Sequence, residues 1–364
     1  MKKRIFAVTA AAMMLAGCAD ARKDDGAAAA EKAAPETSVT TAETTTTTTT
    51  TTLVSTSAPP DEDSPYGFES GCIVAYQDTP WVRAMEEFYF SEETGDYLAQ
   101  SIDSYAEKLD GVNTYLMMIP TSQEFYTPVE IKDDYPDQAE CADYVYSKLK
   151  TAKSVPIDRL LGEHKAEYLY SRTDYHWQPI AAFYAAREFA EKAGVPFPEF
   201  STYQAVEREG YLGAFYSVNG IYQLEDHPDT FTYYKPANLG RCKVLSYDTW
   251  FSGEGYEGSL FFEDMDIGSS YTVFVGTDDT ILEIDTDVNN DRVLVVFKDS
   301  YGNALLPFLT GSFSKIYLCD DRFFNTNSLS FAKEVGATDI LYALGAASTS
   351  SYEKVSLIEQ NMYR

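Results

Sequence analysis

Residues 292–345 read RVLVVFKDS, then YGNALLPFL, KIYLCDD, NSLSFAKEVGA and DILYALG in that order. Three runs rich in Val, Ile and Leu alternate with short segments whose apolar residues fall at helical spacing. A strand that is apolar throughout needs cover on both faces, and strands alternating with helices pair in parallel through crossovers. An α/β fold with a mostly parallel sheet is therefore expected. Ligands of such sheets bind beyond the carboxyl ends of the strands, where Ser300, Asp320 and Arg322 all fall.

The pattern extends towards the amino terminus. The segment DYLAQSIDSYAEKLDG (96–111) predicts a helix and NTYLMMIPTS (113–122) a buried strand ended by Pro and Ser. Further helices are predicted over 137–150 and over 179–194, the latter with Pro179 in its first turn and Gly194 as its stop. Residues 211–287, rich in Tyr, Phe, Gly and Asp, read as loops and short strands inserted over the sheet. Pro307 should shorten or kink the helix that follows Ser300.

The start of the chain, MKKRIFAVTAAAMMLAGCAD, has a basic opening, a short apolar stretch and LAGC ending on Cys18. It reads as a secretory signal, too short for a resident transmembrane helix, and resembles the lipobox of bacterial lipoproteins, whose cysteine is lipidated. Residues 1–18 are thus expected to be a lipoprotein signal, and the protein to be extracytoplasmic and lipid-anchored. Residues 19–60, Ala- and Thr-rich with nine consecutive threonines at 44–52, hold too few large apolar residues to offset ordering entropy and read as a disordered linker. Residues 61–364 are expected to form one domain.

The net charge of −29 argues against nucleic acid and anionic headgroups as partners, since both would be repelled. The four cysteines beyond Cys18, at 72, 141, 242 and 319, allow three pairings if oxidised or can remain free thiols. His164, His176 and His227 are the only histidines, and no HExxH or CxxC spacing occurs. No metal or other cofactor is expected.

Residues 170–179, YSRTDYHWQP, place Asp174 two positions before His176. In extended backbone the two side chains point the same way, so the carboxylate can orient the ring and stabilise its imidazolium. A general base serving a hydroxyl nucleophile needs such a partner. Trp177 can wall a site or stack on a sugar. Ser300 can be that nucleophile or simply a helix cap; no GxSxG offers a rival serine. His227 reads as a loop residue. The stretch AFYSVNGIYQ offers either carbohydrate stacking or core packing.

The segments RTDYHW, VVFKDSYGNALLPFL and DDRFF together resemble the DHHW family of bacterial envelope proteins, named for an Asp-His-His-Trp stretch. That family is similar to the SGNH-hydrolase-like domains of the alginate O-acetylation proteins, in which Asp-x-His precedes the serine. The likeness covers most of residues 80–345, with Tyr175 standing where the family has its first His. It implies a three-layer α/β/α domain with Ser300 as nucleophile, His176 as base and Asp174 as its orienting partner. For the oxyanion, the N–H groups of Ser300 and Tyr301 at a helix start are candidates, the resemblance adds Gly276 in VFVGTDD, and Arg322 is a further one, whose alternative is a salt bridge to Asp320 or Asp321.

Two functions follow. One is a serine-dependent O-acetyltransferase or esterase acting on an envelope or secreted polysaccharide, with a membrane acetyl-donor protein as a candidate partner. The other is a non-catalytic lipoprotein that keeps the fold to bind glycan or a protein.

Overall fold

A computed structural model describes residues 65–364. The signal expected at 1–18 with Cys18, and the linker expected at 19–60, lie outside the described residues. The strands are β1 (Tyr66–Glu69), β2 (Cys72–Ala75), β3 (Arg83–Glu86), β4 (Asn113–Ile119), β5 (Lys153–Ser154), β6 (Gln204–Tyr211), β7 (Asp229–Lys235), β8 (Lys243–Tyr247), β9 (Tyr256–Glu257), β10 (Ile281–Asp285), β11 (Val293–Lys298), β12 (Lys315–Asp320) and β13 (Asp339–Gly345).

Eight of them form one mixed sheet in the order β5-β4-β13-β11-β12-β10-β8-β9. Pairings from β5 through β12 are parallel, and those from β12 through β9 are antiparallel. β11 is central, with parallel neighbours on both sides. β1–β3 and β6–β7 form two smaller antiparallel sheets.

The apolar runs are explained by cover on both faces. Leu294, Val296, Ile316, Leu318, Leu341 and Ala343 pack in one core with the helix Pro179–Ala193, which ends at Gly194 as its sequence predicts. Val295, Phe297, Cys319, Ile340 and Tyr342 point the other way, into a core with the helices Glu92–Glu107, Gln138–Lys148, Ser328–Glu334 and Tyr352–Tyr363. The helix expected from residue 96 begins at Glu92, because the Ser91 side chain accepts from the Thr94 N–H and caps it.

Residues 211–287 depart from the expectation. β8 and β10 do not lie over the sheet but extend it as antiparallel strands. The polar side chains of this edge match a less covered sheet: Lys315 pairs with Glu283 and Asp285. After β11 the chain makes a 3-10 turn, Ser300–Leu305, and then one α-turn, Leu306–Leu309. Pro307 sits in the first turn of the latter, where its missing N–H costs nothing. The cysteines at 72, 141, 242 and 319 are free thiols, and burial pushes the Cys319 thiol well up. No helix among the described residues is long and apolar enough to cross a membrane.

Several carboxyls carry a pH signature. Burial pushes Asp158 up to about 8, and Glu124 and Glu86 up to about 7. Folded protein therefore holds protons that the unfolded chain releases above pH ~4. Stability should fall as pH rises from about 5 to 8, so the melting temperature should be higher at pH 5.5 than at pH 8. Below pH ~4 the trend should reverse, because Asp174 and Asp278 are held low in the fold and lose their stabilisation on protonation. A melting temperature that is flat between pH 5.5 and 8 would contradict this.

Candidate active site

The loop before the helix Pro179–Ala193 is closed by an antiparallel bridge between Tyr170 and Trp177 and by the Gln178 N–H donating to the Leu169 carbonyl at 2.8 Å. Inside it, Asp174 and His176 meet through a turn and not through the strand spacing expected. The Asp174 Oδ1 accepts from the His176 backbone N–H at 2.9 Å, and the same oxygen lies 2.6 Å from His176 Nδ1. An Asp capping its own chain two residues on is a favoured local turn, which an extended segment would not make.

Asp174 Oδ2 accepts from the Ala214 N–H at 2.8 Å. That approach requires Gly213: a Cβ there would stand 2.3 Å from the Asp174 Cβ. Burial alone would push the Asp174 carboxyl up, but the neighbouring imidazole and the N–H donors outweigh it and hold it below the usual range.

The other ring nitrogen, His176 Nε2, lies 2.8 Å from Ser300 Oγ. Ser300 stands at the carboxyl end of β11, half-buried, while Asp174 and His176 are buried. Asp299 caps the turn: its Oδ1 accepts from the Tyr301 N–H at 3.1 Å and its Oδ2 from the Gly345 N–H at 2.8 Å, tying the end of β11 to the end of β13. Asp299 is thus the cap, and the Ser300 side chain is left to face His176.

Two nearby groups carry no sequence signal. Tyr271 stacks on the His176 ring at 3.7 Å between centroids and donates to the Ser300 carbonyl at 2.9 Å. Glu86, at the end of β3, is raised to about 7 by desolvation, with His176 and Asp174 acting on it in opposite directions. It is densely surrounded but still reaches solvent. Tyr175 packs tilted beside His176, and its carbonyl accepts from the Tyr301 hydroxyl at 2.6 Å.

The remaining expected site residues are engaged with other protein groups. Trp177 is fully buried, with its indole N–H donating to the Tyr301 carbonyl at 3.0 Å, so it fastens the two halves of the site together and cannot stack on a ligand. The Tyr301 N–H is taken by Asp299 and the Gly276 N–H by the Phe274 carbonyl, which removes both as oxyanion donors. Arg322 takes the ion-pair alternative: Nε and Nη2 donate to Asp320, and Nη2 also to Asp278. Lys298, wholly buried, bonds the same two carboxylates at 2.6 and 2.7 Å. Burial would lower its ammonium, but Asp320 and Asp278 together hold it charged. In the stretch 214–223, Phe215 and Ile221 are core, while Tyr222 is exposed.

The loop that carries Asp174 and His176 is anchored by Asp229, itself buried. Its carboxylate accepts from the Arg172 N–H and Nε, the Thr173 N–H and Oγ1, and the Tyr168 hydroxyl.

This is an α/β protein whose central strand ends in a serine hydrogen-bonded through histidine to aspartate. The sequence profile described as DHHW protein matches residues 71–319. A crystal structure of a DHHW family protein from Eubacterium siraeum superposes with a TM-score of 0.76 at 32% identity, covering 82% of this chain and 97% of that one. The chain belongs to the DHHW family. Its fold is also similar to that of Bacillus cereus PatB1 solved with a sulfonyl adduct, at 16% identity and a TM-score of 0.62, covering 79% and 97% of the two chains. No curated protein matches this sequence.

Replacing Asp229 by Asn would set an amide N–H₂ against donors. We expect Asp229→Asn to cost about 3–5 kcal/mol in urea unfolding, the range for breaking a buried charged pair. In NMR, the downfield proton of the His176–Asp174 hydrogen bond should be lost or shifted. An unchanged stability and spectrum would show that the loop does not depend on Asp229.

Proposed function

We propose that this protein is a serine-dependent O-acetyltransferase or esterase of the SGNH-hydrolase-like class, acting on acetyl esters of an envelope or secreted polysaccharide. The observation that carries this is the continuous chain Asp174–His176–Ser300, closed between residues 124 apart in sequence. Nothing local forces that contact, and a helix cap would not require it.

The mechanism follows from the protonation pattern that suits the hydrogen bonds. With Nδ1–H donating to Asp174, Nε2 presents its lone pair to the Ser300 hydroxyl. Ser300 Oγ attacks the acetyl carbonyl as Nε2 takes its proton, and Asp174 stabilises the imidazolium. The tetrahedral oxyanion is assigned to the Ser300 N–H at the start of the 3-10 turn. His176 then returns the proton to the leaving oxygen, giving an acetyl-Ser300 ester. An incoming hydroxyl, deprotonated by His176, attacks the acetyl carbonyl, and His176 passes that proton to Ser300 Oγ as the acetyl–Ser300 bond breaks: a sugar hydroxyl makes the protein a transferase, water an esterase.

Stacking of Tyr271 on His176 supports this reading by holding the ring plane fixed. The polysaccharide substrate is inferred from the motif resemblance and from the outward, lipid-anchored topology read at Cys18. A membrane acetyl-donor protein is the proposed partner for the transferase.

Ser300→Ala and His176→Ala should each lower turnover of a chromogenic acetyl ester by several orders of magnitude with circular dichroism unchanged, because members of such a unit act together. Asp174→Asn should be less severe. Mass spectrometry after incubation with an activated acetyl donor should find the acetyl group on Ser300. Glycan binding without turnover under any donor or acceptor would instead favour the non-catalytic lipoprotein.

The anchor is tested separately. Cys18→Ala should move the protein from the membrane to the soluble fraction; a variant that stays membrane-bound with its leader removed would place the anchor elsewhere.

A further inference from the structure

A cavity of about 160 Å³ opens between β3 and the segment preceding Asp174, and none of Asp174, His176 or Ser300 lines it. Its walls include Trp81, Arg83, Lys165, Tyr168 and Arg172, and one acid, Glu167. Arg83 is 5% exposed, and its guanidinium carbon lies 3.6 Å from the centre of the Tyr126 ring. Its Nη1 is buried without a hydrogen-bond partner. A desolvated guanidinium left with a ring face is costly unless an anion completes its hydrogen bonds.

The carboxylates nearby are committed to other groups. Glu167 lies 2.7 Å from His164 Nδ1 and accepts from the Tyr184 hydroxyl at 2.7 Å. Asp229 is taken by Arg172, Thr173 and Tyr168. Arg172 is satisfied in turn, donating also to the Pro80 and Pro228 carbonyls. Lys165 stands exposed at the rim. In a chain of net charge −29 the cavity therefore keeps an excess of positive charge: Arg172 is matched by Asp229, and Arg83 and Lys165 face the single carboxylate of Glu167.

We propose that this cavity is an anion-binding site that takes one carboxylate or phosphate group of an acidic glycan. The anion accepts from Arg83 and Lys165, and the attached sugar ring lies against the flat faces of Trp81 and Tyr168, whose C–H-rich contacts suit a pyranose. The volume is below the roughly 300–1,000 Å³ of drug-sized pockets, which fits one small unit and not an extended chain. Arg172 and Asp229 join the site to the loop that carries Asp174, so occupancy there bears on the acid and base. Naming a glycan as the carrier rests on the acyl-transfer reading, while the anion site stands on its own geometry.

Isothermal titration of the full chain with sodium glucuronate, inorganic phosphate and glucose tests it. At least one anion should bind in the millimolar range or tighter, more weakly as salt is raised, and glucose should give no heat. Binding of glucuronate alone assigns the site to carboxylate, and of phosphate alone to phosphate. Arg83→Gln should abolish binding; Lys165→Glu, on an exposed side chain that folding does not need, should weaken it at least tenfold and carries the test if Arg83→Gln misfolds. Binding should persist in Ser300→Ala. No heat from either anion up to about 10 mM, glucose binding as tightly as the anions, or folded variants that bind like the unsubstituted protein would overturn the site. Retained anion binding without ester turnover removes only the acyl-transfer reading.

Discussion

One buried carboxylate, Asp229, sets where Asp174 and His176 stand. It gathers backbone and side-chain donors from Arg172 and Thr173 and the hydroxyl of Tyr168, and fixes the loop that Asp174 and His176 occupy against the start of β7. A loop of this kind has no ladder of its own to satisfy its N–H groups, and a buried donor without an acceptor is costly. Asp229 supplies the acceptors, and the turn at Asp174 supplies the next. The direction of the imidazole follows from these two carboxylates.

The serine side is held by a different device. Asp299 joins the ends of β11 and β13, while Lys298, Arg322, Asp278 and Asp320 form a group of two cations and two anions around the end of β12. Gly302 lets this packing close, since a Cβ there would stand 2.4 Å from that of Lys298. Breaking such a group by removing one member leaves an unpaired buried charge, so its members act as a unit. Arg322 is therefore a structural partner of Asp320, and its Nε and Nη2 are withdrawn from any oxyanion. Trp177 joins the two sides directly through the Tyr301 carbonyl, and Tyr271 does so by lying on His176 while bonding the Ser300 carbonyl.

The sequence by itself determined the parallel half of the sheet, because strands covered on both faces must be apolar along their length and 293–297, 316–319 and 340–345 are so patterned. It determined the helix Pro179–Ala193 through its Pro and Gly limits, and the resemblance of its RTDYHW and VVFKDSYGNALLPFL segments to the DHHW family singled out Asp174, His176 and Ser300. The antiparallel extension by β8 and β10 was not legible: short strands with a polar edge resemble loops until their partners are known. Tertiary structure alone brought Ser300 to His176 and assigned Trp177 to the interior. It also gave the Tyr301 N–H to Asp299 and placed Tyr271 and Glu86 near the ring. Each of those outcomes depends on which distant group reaches a hydrogen-bond donor, a ring face or a carboxyl first. Such pairings are decided by packing across the fold, whereas periodicity in a sequence reports only which face of an element is covered.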